Sequence, residues 1–460
     1  MKTKFDTFCK KYIRRFNYDG KTTRQIGVEK EILVTDKDGF MADITENVWP
    51  HIEDKRLQTD VDPNNSDNIN GFFFKKHLIT TDFGKGTFEL VLSPQKSIAA
   101  AEENIKKLLR VLYPVCQKQN LRILSLGFQP RTRADEKSVV DKQRYELLVN
   151  SFKKKVLPSS LTASDQVHVD VTVDEFVPAL NTLTGLAGFM MILFSNSPVR
   201  YGRQTGSNVL REFFRHYLGK NRTGIPPTPY KSIEDYLARV WEMKCFMAQR
   251  KNKKFYAPMK KFKDYVRRLP DKEIFDKFCI HEGTIYNCAR PRFYGTIEVR
   301  PACLQPWNDM MVVPAFVLGL VENLAESSAF VNDFKWETLR DMRDQAAENG
   351  FETKIHGKKV ALYLKDLLDI SKKGLLKKKQ GGEAYLKPLY ERVEEEKSPA
   401  DRAIEWFNEG GLPLLLTNAE LKAKHIKLPR KHGTIQNKKG STRSSGAINE
   451  RPSKVSVARR

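Results

Sequence analysis

The sequence predicts an α+β fold, in which strands and helices alternate along one large domain and the C-terminal part is mainly helical. Three observations support this prediction. Stretches such as GVEKEILV, TFELVL and DQVHVDVTV alternate polar and apolar residues, which is the period of a half-buried strand. Apolar residues recur at helical spacing between these stretches, and helical patterns prevail from about Asp309 onwards. The chain has 460 residues, 40% of them hydrophobic, and can therefore bury a large core.

The N-terminal half begins with the strand in GVEKEILVT, which runs into a turn at Asp38-Gly39. The polar segment from about Asp54 to Asn70 has no clear period and is predicted as a loop. The glycine-punctuated segment DFGKG then enters the strand TFELVL, which is closed by Pro94. A helix follows, and Ser97 is placed to cap it.

The second half contains the clearest strand, DQVHVDVTV, whose valines form one face and whose polar residues form the other. A helical region is predicted from about Pro178 to Phe194. The stretch RPRFYGTIEVR is predicted as a single strand, in which Arg292, Glu298 and Arg300 share a face. Near the C-terminus, Ser398 caps the helix SPADRAIEWFNEGG, whose glycine pair is predicted to end it.

The net charge of +24 is unevenly distributed along the chain. The segment 421–460 holds twelve Lys or Arg and one acid, Glu450, and it is poor in apolar residues. We expect a domain over 1–420, helical from about 309, and a disordered basic tail over 421–460. Such a tail would contact RNA, DNA or an anionic surface, or would only aid solubility.

The chain shows no apolar run of the ~20 residues that a membrane span needs. Its first residues, MKTKFDTFCKKYIRRF, lack the apolar centre of a signal peptide, so a cytoplasmic location is expected. The six cysteines are scattered and form no C-x-x-C pair, which favours free thiols over a disulfide framework or a zinc site.

The candidate functional residues lie on the polar faces of four predicted strands. Each of these strands has an apolar back and acids, an imidazole or an arginine in front, where a solvated strand usually shows Lys, Thr and Ser. For a single strand the solvated interpretation is preferred, but for four strands together a common cleft is preferred. The front residues are Glu29 and Glu31, Glu89, His168 and Asp170, and Glu298 and Arg300.

Carboxylates two apart on a strand lie about 6.5 Å apart and can converge on one cation or hold two metals. Glutamate oxygens favour Mg²⁺, which also binds phosphate oxygens, and one imidazole makes Mn²⁺ an acceptable substitute. Arginines would then face the charge of a nucleotide, as phosphoryl transfer requires. The sequence contains no Walker A loop and no G-x-S-x-G elbow.

Six motifs occur in the order of a known family, from about Gly27 to Trp307. They are GVEKE, FGKGTFEL, QRYELL, QVHVD, SNSPVRYG, and the set Arg292, Glu298, Arg300 and Trp307. The sequence therefore resembles the glutamate–cysteine ligases of the plant-type and bacterial carboxylate–amine ligase group, which are relatives of glutamine synthetase. The resemblance implies a glutamine synthetase-like domain, with a mainly antiparallel sheet lining the active-site cleft and helices packed behind.

The resemblance also implies the substrates and the site. ATP would phosphorylate the γ-carboxylate of glutamate, and the amine of cysteine would then attack the acyl phosphate. Glu298 and Arg300 would be catalytic, with Arg300 facing the transferred phosphoryl group. The implied metal ligands are Glu29, Glu31, Glu89, His168 and Glu298. The implied substrate-binding residues are Arg144, Tyr145, Arg203 and Arg292, and those supporting the ligands are Gln166 and Asp170.

Several interpretations stay open at the level of sequence. His168 fits a metal ligand or a core histidine equally well, and Arg144 and Arg203 fit surface arginines equally well. Many relatives have Gly-Ala-Asp where this chain has Pro301-Ala302-Cys303, which leaves the acceptor amine open. The alternatives are a ligase for another amino acid or a peptide, a phosphotransferase of the same fold, and a catalytically silent RNA-binding protein.

Overall fold

The computed structural model describes residues 2–62, 65–213, 216–219 and 221–428. Strands and helices alternate over the first three hundred residues, and helices dominate afterwards. The strands are β1 (Ile26–Thr35), β2 (Leu57–Asp62), β3 (Asn65–Phe74), β4 (His77–Thr81), β5 (Thr87–Val91), β6 (Arg122–Leu124), β7 (Asp165–Asp170), β8 (Val199–Arg200), β9 (Arg203–Gln204), β10 (Thr223–Gly224), β11 (Ala248–Gln249), β12 (Phe255–Tyr256), β13 (Tyr286–Asn287), β14 (Ala289–Arg292), β15 (Thr296–Val299), β16 (Lys354–Ile355) and β17 (Lys358–Lys359).

The α-helices flank these strands and form the C-terminal part. They are α1 (Lys2–Ile13), α2 (Ile44–Asn47), α3 (Ile98–Lys118), α4 (Gln143–Phe152), α5 (Phe176–Gly185), α6 (Ala187–Leu193), α7 (Leu210–Phe213), α8 (Ile233–Glu242), α9 (Phe262–Val266), α10 (Asp271–Glu282), α11 (Val312–Glu322), α12 (Leu324–Asn332), α13 (Trp336–Asn349), α14 (Val360–Lys378), α15 (Lys387–Glu395) and α16 (Pro399–Ala419).

A nine-stranded sheet forms the centre of the fold. Its order is β14-β15-β7-β1-β5-β4-β3-β2, and β6 pairs with the end of β1 beyond β7. Every pairing within this sheet is antiparallel in the described residues. The predicted α+β class with a mainly antiparallel sheet is therefore confirmed.

The back of the sheet packs on helices. Val28, Phe88, Val167 and Ile297 point to this side and are fully buried. Helix α11 packs against β7 and β1, and α5 packs against β14 and β15. Because alternate side chains of a strand point to opposite faces, burying these apolar residues sends Glu29, Glu31, Glu89, His168 and Glu298 to the front.

The single strand predicted for RPRFYGTIEVR is wrong. The segment is a hairpin of β14 and β15, in which Gly295 donates its N–H to the carbonyl of Arg292 at 2.9 Å. Gly295 adopts φ +80°, which glycine tolerates without steric cost, and this allows the chain to reverse. Arg292 still comes within 3.6 Å of Glu298, but as a cross-strand neighbour rather than along one strand.

One further local prediction differs from the structure, whereas the predicted helix ends agree with it. The segment predicted as a loop from Asp54 to Asn70 contributes β2 and the start of β3. β2 is an edge strand, and its exposed polar residues hide the strand period. Ser97 and Ser398 cap α3 and α16 as predicted. Gly410 and Gly411 have non-helical backbone angles and end the first helical part of α16 as predicted, and a second helical part follows up to Ala419.

The packed chain continues beyond the predicted start of the tail at 421. Leu421 and Ile426 are buried, and the Ile426 carbonyl accepts a hydrogen bond from Arg110 of α3 at 2.7 Å. The rest of the predicted tail, 429–460, lies outside the described residues. In the described part of the chain no single helix is long and apolar enough to cross a membrane. Two bent helix pairs, α5 with α6 and residues 307–322 with α12, reach that length and apolar composition only when the two helices of a pair are counted together.

Candidate active site

The front of the sheet brings polar side chains from four neighbouring strands into one row. Antiparallel register places Glu31 of β1 opposite Glu89 of β5, and Glu29 of β1 opposite Gln166 of β7. It also places His168 of β7 opposite Glu298 of β15. Directly opposed residues have Cβ atoms about 4.5–5.5 Å apart, so these side chains can share ligands. All of them are buried.

Three arginines surround Glu298 at one end of the row. Arg290 binds the carboxylate through two parallel hydrogen bonds, Nε to Oε2 at 2.9 Å and Nη2 to Oε1 at 3.0 Å. Arg300 donates from Nη1 to Oε1, and the Arg292 Nε lies 3.6 Å from Oε2. Burial alone would raise the pKa of Glu298, but the guanidinium groups of Arg290 and Arg300 hold it well below its usual value. Glu298 is therefore ionised at neutral pH.

His168 lies between Glu298 and Glu29. Its Nε2 is 2.9 Å from Glu29 Oε1 and 3.9 Å from Glu298 Oε2. Burial lowers the pKa of His168 to about 4, so the imidazole is neutral at pH 7 and has a lone pair for a metal. One ligand atom from each of Glu29, His168 and Glu298 can lie within 4.8 Å of the others, and this donor set fits a divalent cation.

Gln166 connects the two ends of the row. Its Nε2 donates to Glu31 Oε1 and, at 3.0 Å, to Ser164 Oγ. Its Oε1 accepts a hydrogen bond from Arg300. Gln166 thus fixes Glu31 and Arg300 relative to each other. Asp170 lies at the end of β7, and its Oδ2 accepts the backbone N–H of Gln25 at 3.1 Å.

The other end of the row lies around Glu89. Burial and the nearby carboxylates of Asp82 and Glu31 together raise the pKa of Glu89 to about 8, although Arg144 and Lys142 oppose the increase. Tyr145 donates its hydroxyl hydrogen to Asp82 at 3.4 Å, and Arg144 donates to the Tyr145 oxygen. A cation at this end would favour the ionised form of Glu89.

Comparisons with known proteins identify the family of this chain. The family model described as Glutamate-cysteine ligase family 2 (GCS2) matches residues 25–442. The chain belongs to this family. The glutamate–cysteine ligase of Arabidopsis thaliana, named chloroplastic, is 24% identical over 359 residues, which are 74% of this chain and 68% of the relative. An Oryza sativa subsp. indica relative, glutamate–cysteine ligase A, is 24% identical and covers 74% of this chain and 72% of its own.

Solved structures show the same fold at low sequence identity. The glutamate–cysteine ligase of Francisella tularensis, determined in complex with AMP, has a TM-score of 0.56 and 14% identity over 88% of this chain and 91% of its own. A bifunctional glutathione synthetase from Pasteurella multocida has a TM-score of 0.51 and 14% identity, covering 86% of this chain and 51% of its own. The predicted resemblance to the glutamate–cysteine ligase family is confirmed.

Arg203, one of the predicted substrate-binding residues, lies apart from the row. Arg203 is exposed in the small ribbon of β8 and β9. No hydrogen bond or ion pair joins it to the front row among the residues that the structure describes. Arg144, Tyr145 and Arg292, by contrast, lie at the two ends of the row.

Sequence reasoning missed three residues of the site. Arg290 has the same strand parity as Arg292, a signal that was available. Lys142 precedes the Arg144-Tyr145 pair by two positions and donates to Thr81 O at 2.8 Å, but a lysine before a helix is common on surfaces. Arg211 is fully buried and donates to the carbonyl of Arg300 at 2.5 Å, and nothing in its local pattern indicates this.

The segment after β15 packs into the core. Ala302 and Cys303 are fully buried, and the Cys303 sulfur lies 3.6 Å from Ser197 Oγ. The segment Pro301-Ala302-Cys303 therefore contributes no acidic side chain. Burial raises the pKa of Cys303, which keeps the thiol protonated.

Proposed function

We propose that this protein is an ATP-dependent ligase that joins the γ-carboxylate of glutamate to the amine of cysteine. The observation that carries the proposal is the row itself, because buried carboxylates, a neutral imidazole and arginines meet on one sheet face of a chain that belongs to the glutamate–cysteine ligase family. Membership in the family and the names of its relatives support ATP, glutamate and cysteine as substrates.

We further propose more than one resident Mg²⁺ ion along the row, with Glu29, Glu31, Glu89, His168 and Glu298 as the ligands and Mn²⁺ as a substitute. The grouping of Glu29, the neutral imidazole of His168 and Glu298 supports one of these sites. When bound, these cations supply Lewis-acid neutralisation of phosphate oxygens.

In the proposed reaction the γ-carboxylate attacks the terminal phosphorus of ATP, and the bond to ADP breaks. Arg300 stabilises the charge that spreads over the transferred phosphoryl group, since it is buried and oriented by Glu298 and Gln166. The amine of cysteine then attacks the acyl phosphate, loses a proton and expels phosphate, which leaves the amide. Exclusion of water by the buried row limits hydrolysis of the acyl phosphate.

Substrate carboxylates are assigned to Arg144, Tyr145 and Arg292. Arg203 is exposed in its ribbon, and its substrate role stays a prediction. The cytoplasmic location and the anionic contacts of the basic tail stay predictions.

A second candidate is a ligase of the same chemistry with another acceptor amine. The observation that favours it is that this chain has Pro301-Ala302-Cys303 where the resemblance implies Gly-Ala-Asp, and that Cys303 is fully buried.

The test is ADP release with ATP, Mg²⁺ and glutamate, while the twenty amino acids are added one at a time and products are weighed by mass spectrometry. The proposal expects ADP with cysteine and a mass of γ-glutamylcysteine. ADP and an amide with another amine would select the second candidate. ADP formation without an amide, or no ADP with any amine, would overturn both.

A further inference from the structure

The Glu89 end of the row contains a cation that neither the family motifs nor the predicted ligand set accounts for. Lys142 lies immediately before α4 and extends over the end of β4. Its ammonium donates to Thr81 O at 2.8 Å and to Thr80 Oγ1 at 3.2 Å. These two bonds fix the charge next to Asp82, because Thr81 and Asp82 are consecutive.

A lysine ammonium has three N–H donors, and Lys142 uses two of them on protein acceptors in the described residues. Arg144 lies two positions further on, and its guanidinium packs over the ring of Tyr145 at 4.4 Å. The Lys142 ammonium lies 5.8 Å from the centre of the same ring.

Both cations approach the same aromatic ring, so an anionic group that reaches one of them also lies near the other. The two side chains therefore form a receptor for a group that carries negative charge, such as a carboxylate.

Asp82 supplies the complementary charge. Its Oδ1 accepts the hydroxyl of Tyr145 at 3.4 Å, and Tyr145 in turn accepts from Arg144. Tyr145 is buried and thus holds the acid and the guanidinium at a fixed spacing. A carboxylate receptor next to an ammonium receptor matches the two charges of an α-amino acid.

We propose that Lys142, Arg144 and Asp82 form a recognition site for the head group of an amino-acid substrate, with Lys142 and Arg144 binding its α-carboxylate and Asp82 binding its α-amino group. This inference rests on the proposed ligase function and adds Lys142 and Asp82 to it as specificity-determining residues. Both substrates of the reaction have such a head group, and the experiment distinguishes glutamate from the acceptor.

The experiment compares Lys142→Met with the wild type on substrates with and without the α-carboxylate. In place of glutamate, 4-aminobutyrate keeps the reacting carboxylate and the amine. In place of cysteine, cysteamine keeps the reacting amine and the thiol. Lys137→Met, at an exposed position five residues earlier, is the matched control for loss of one positive charge.

Lys142→Met is expected to lower kcat/KM by about 30-fold or more for the amino acid bound at this site, because a buried charge pair loses one partner. The loss should shrink to about threefold or less when that substrate lacks its α-carboxylate. A loss that disappears with 4-aminobutyrate assigns the site to glutamate, and one that disappears with cysteamine assigns it to the acceptor. Lys142→Arg should recover part of the loss.

Asp82→Asn provides the second measurement. In this variant, inhibition by the zwitterionic substrate analogue should weaken. Inhibition by the matching compound without the amine, which is glutarate for glutamate and 3-mercaptopropionate for cysteine, should change by no more than about threefold. Equal losses for Lys142→Met with intact and truncated substrates, together with a lowered thermal midpoint, would mean that Lys142 only supports the fold and would overturn the inference. Wild-type enzyme is assayed first, so absence of ligase activity there would count against the proposed function and not against the head-group site.

Discussion

Glu298 and Glu89 lie on the same face of one sheet, separated by the two strands β7 and β1, and both are buried. Their pKa values nevertheless move in opposite directions. Arginines on β14 and after β15 hold the pKa of Glu298 well below its usual value, whereas burial beside Asp82 and Glu31 raises that of Glu89 to about 8. Burial penalises both carboxylates, so the neighbouring charges decide the outcome.

This difference shows that the carboxylates at the two ends of the row are neutralised in different ways. The protein itself neutralises Glu298 and fixes it with Arg290 and Arg300. At the Glu89 end, burial and the carboxylates of Asp82 and Glu31 outweigh the cations of Arg144 and Lys142, and the metal-free protein keeps the carboxyl of Glu89 protonated at neutral pH. This end therefore depends on a bound cation for its charged form, while the Glu298 end does not.

The largest expected effect is that of Glu298→Gln. Turnover should fall by at least about 10³-fold, because Arg300 loses the carboxylate that orients it. Stability should fall by about 3–5 kcal/mol, since Arg290 and Arg300 keep their buried charge without a partner. Steady-state kinetics and urea unfolding measure the two effects. An unchanged unfolding midpoint would contradict the view that this end is held by charge pairing.

Arg300→Lys should lower kcat by about 10²-fold. The Arg300 Nη1 donates both to Glu298 and to Gln166, and a lysine ammonium cannot reproduce the planar guanidinium fork. The control is Arg267→Lys, the same exchange at an exposed position, which should leave kcat unchanged. Near-normal kcat in Arg300→Lys would show that point charge alone suffices at this end.

The affinity for Mg²⁺ should rise with pH up to about 8 and then level off. Below about 8 Glu89 is protonated, and a metal must displace that proton, so the apparent affinity should change by up to tenfold per pH unit. Isothermal titration calorimetry in buffers of different ionisation enthalpy measures the proton release. Glu89→Gln should abolish the release, and an equal release in this variant would place the proton elsewhere.

The smallest effect concerns the metal-free protein in EDTA. The pKa of Glu89 is raised on folding, so its carboxyl lowers stability as the pH rises from about 4.5 through 8. Glu89→Gln should therefore stabilise the metal-free protein at pH 7, by about 1–3 kcal/mol, and flatten this part of the pH profile.

Glu298 should behave in the opposite way. Its pKa is lowered on folding, so its contribution is present above about 4.5 and is lost as the pH falls through the native value. Thermal midpoints from pH 3 to 9 for wild type and both variants test the contrast. A lower thermal midpoint for metal-free Glu89→Gln than for wild type at pH 7 would contradict this contrast.

Much of the site was predictable because strand parity is a local property. The alternation in GVEKEILV and in QVHVDV places Glu29, Glu31, Gln166 and His168 on one face whatever the partner strands are. Caps such as Ser97 and Ser398 were equally predictable, since they need only a few neighbouring residues. The family motifs added the mainly antiparallel sheet that lines the cleft.

Other features need the assembled chain. Parity cannot reveal that RPRFYGTIEVR turns back at Gly295, because a hairpin turn and a continuous strand share the same alternation. It also cannot reveal that Arg290 binds Glu298 with two hydrogen bonds, or that Lys142 reaches Thr81 across 61 residues.

The sequence by itself determined the α+β class, the faces of the strands, the family and the chemical types of the site, because these depend on periodicity and local motifs. Only the tertiary structure decided which acid is ionised and which is protonated. That choice depends on burial and on charges brought from distant parts of the chain, and Coulomb interactions act through space rather than along the sequence. Glu298 and Glu89 look alike in the sequence and differ only in the residues that the fold places around them.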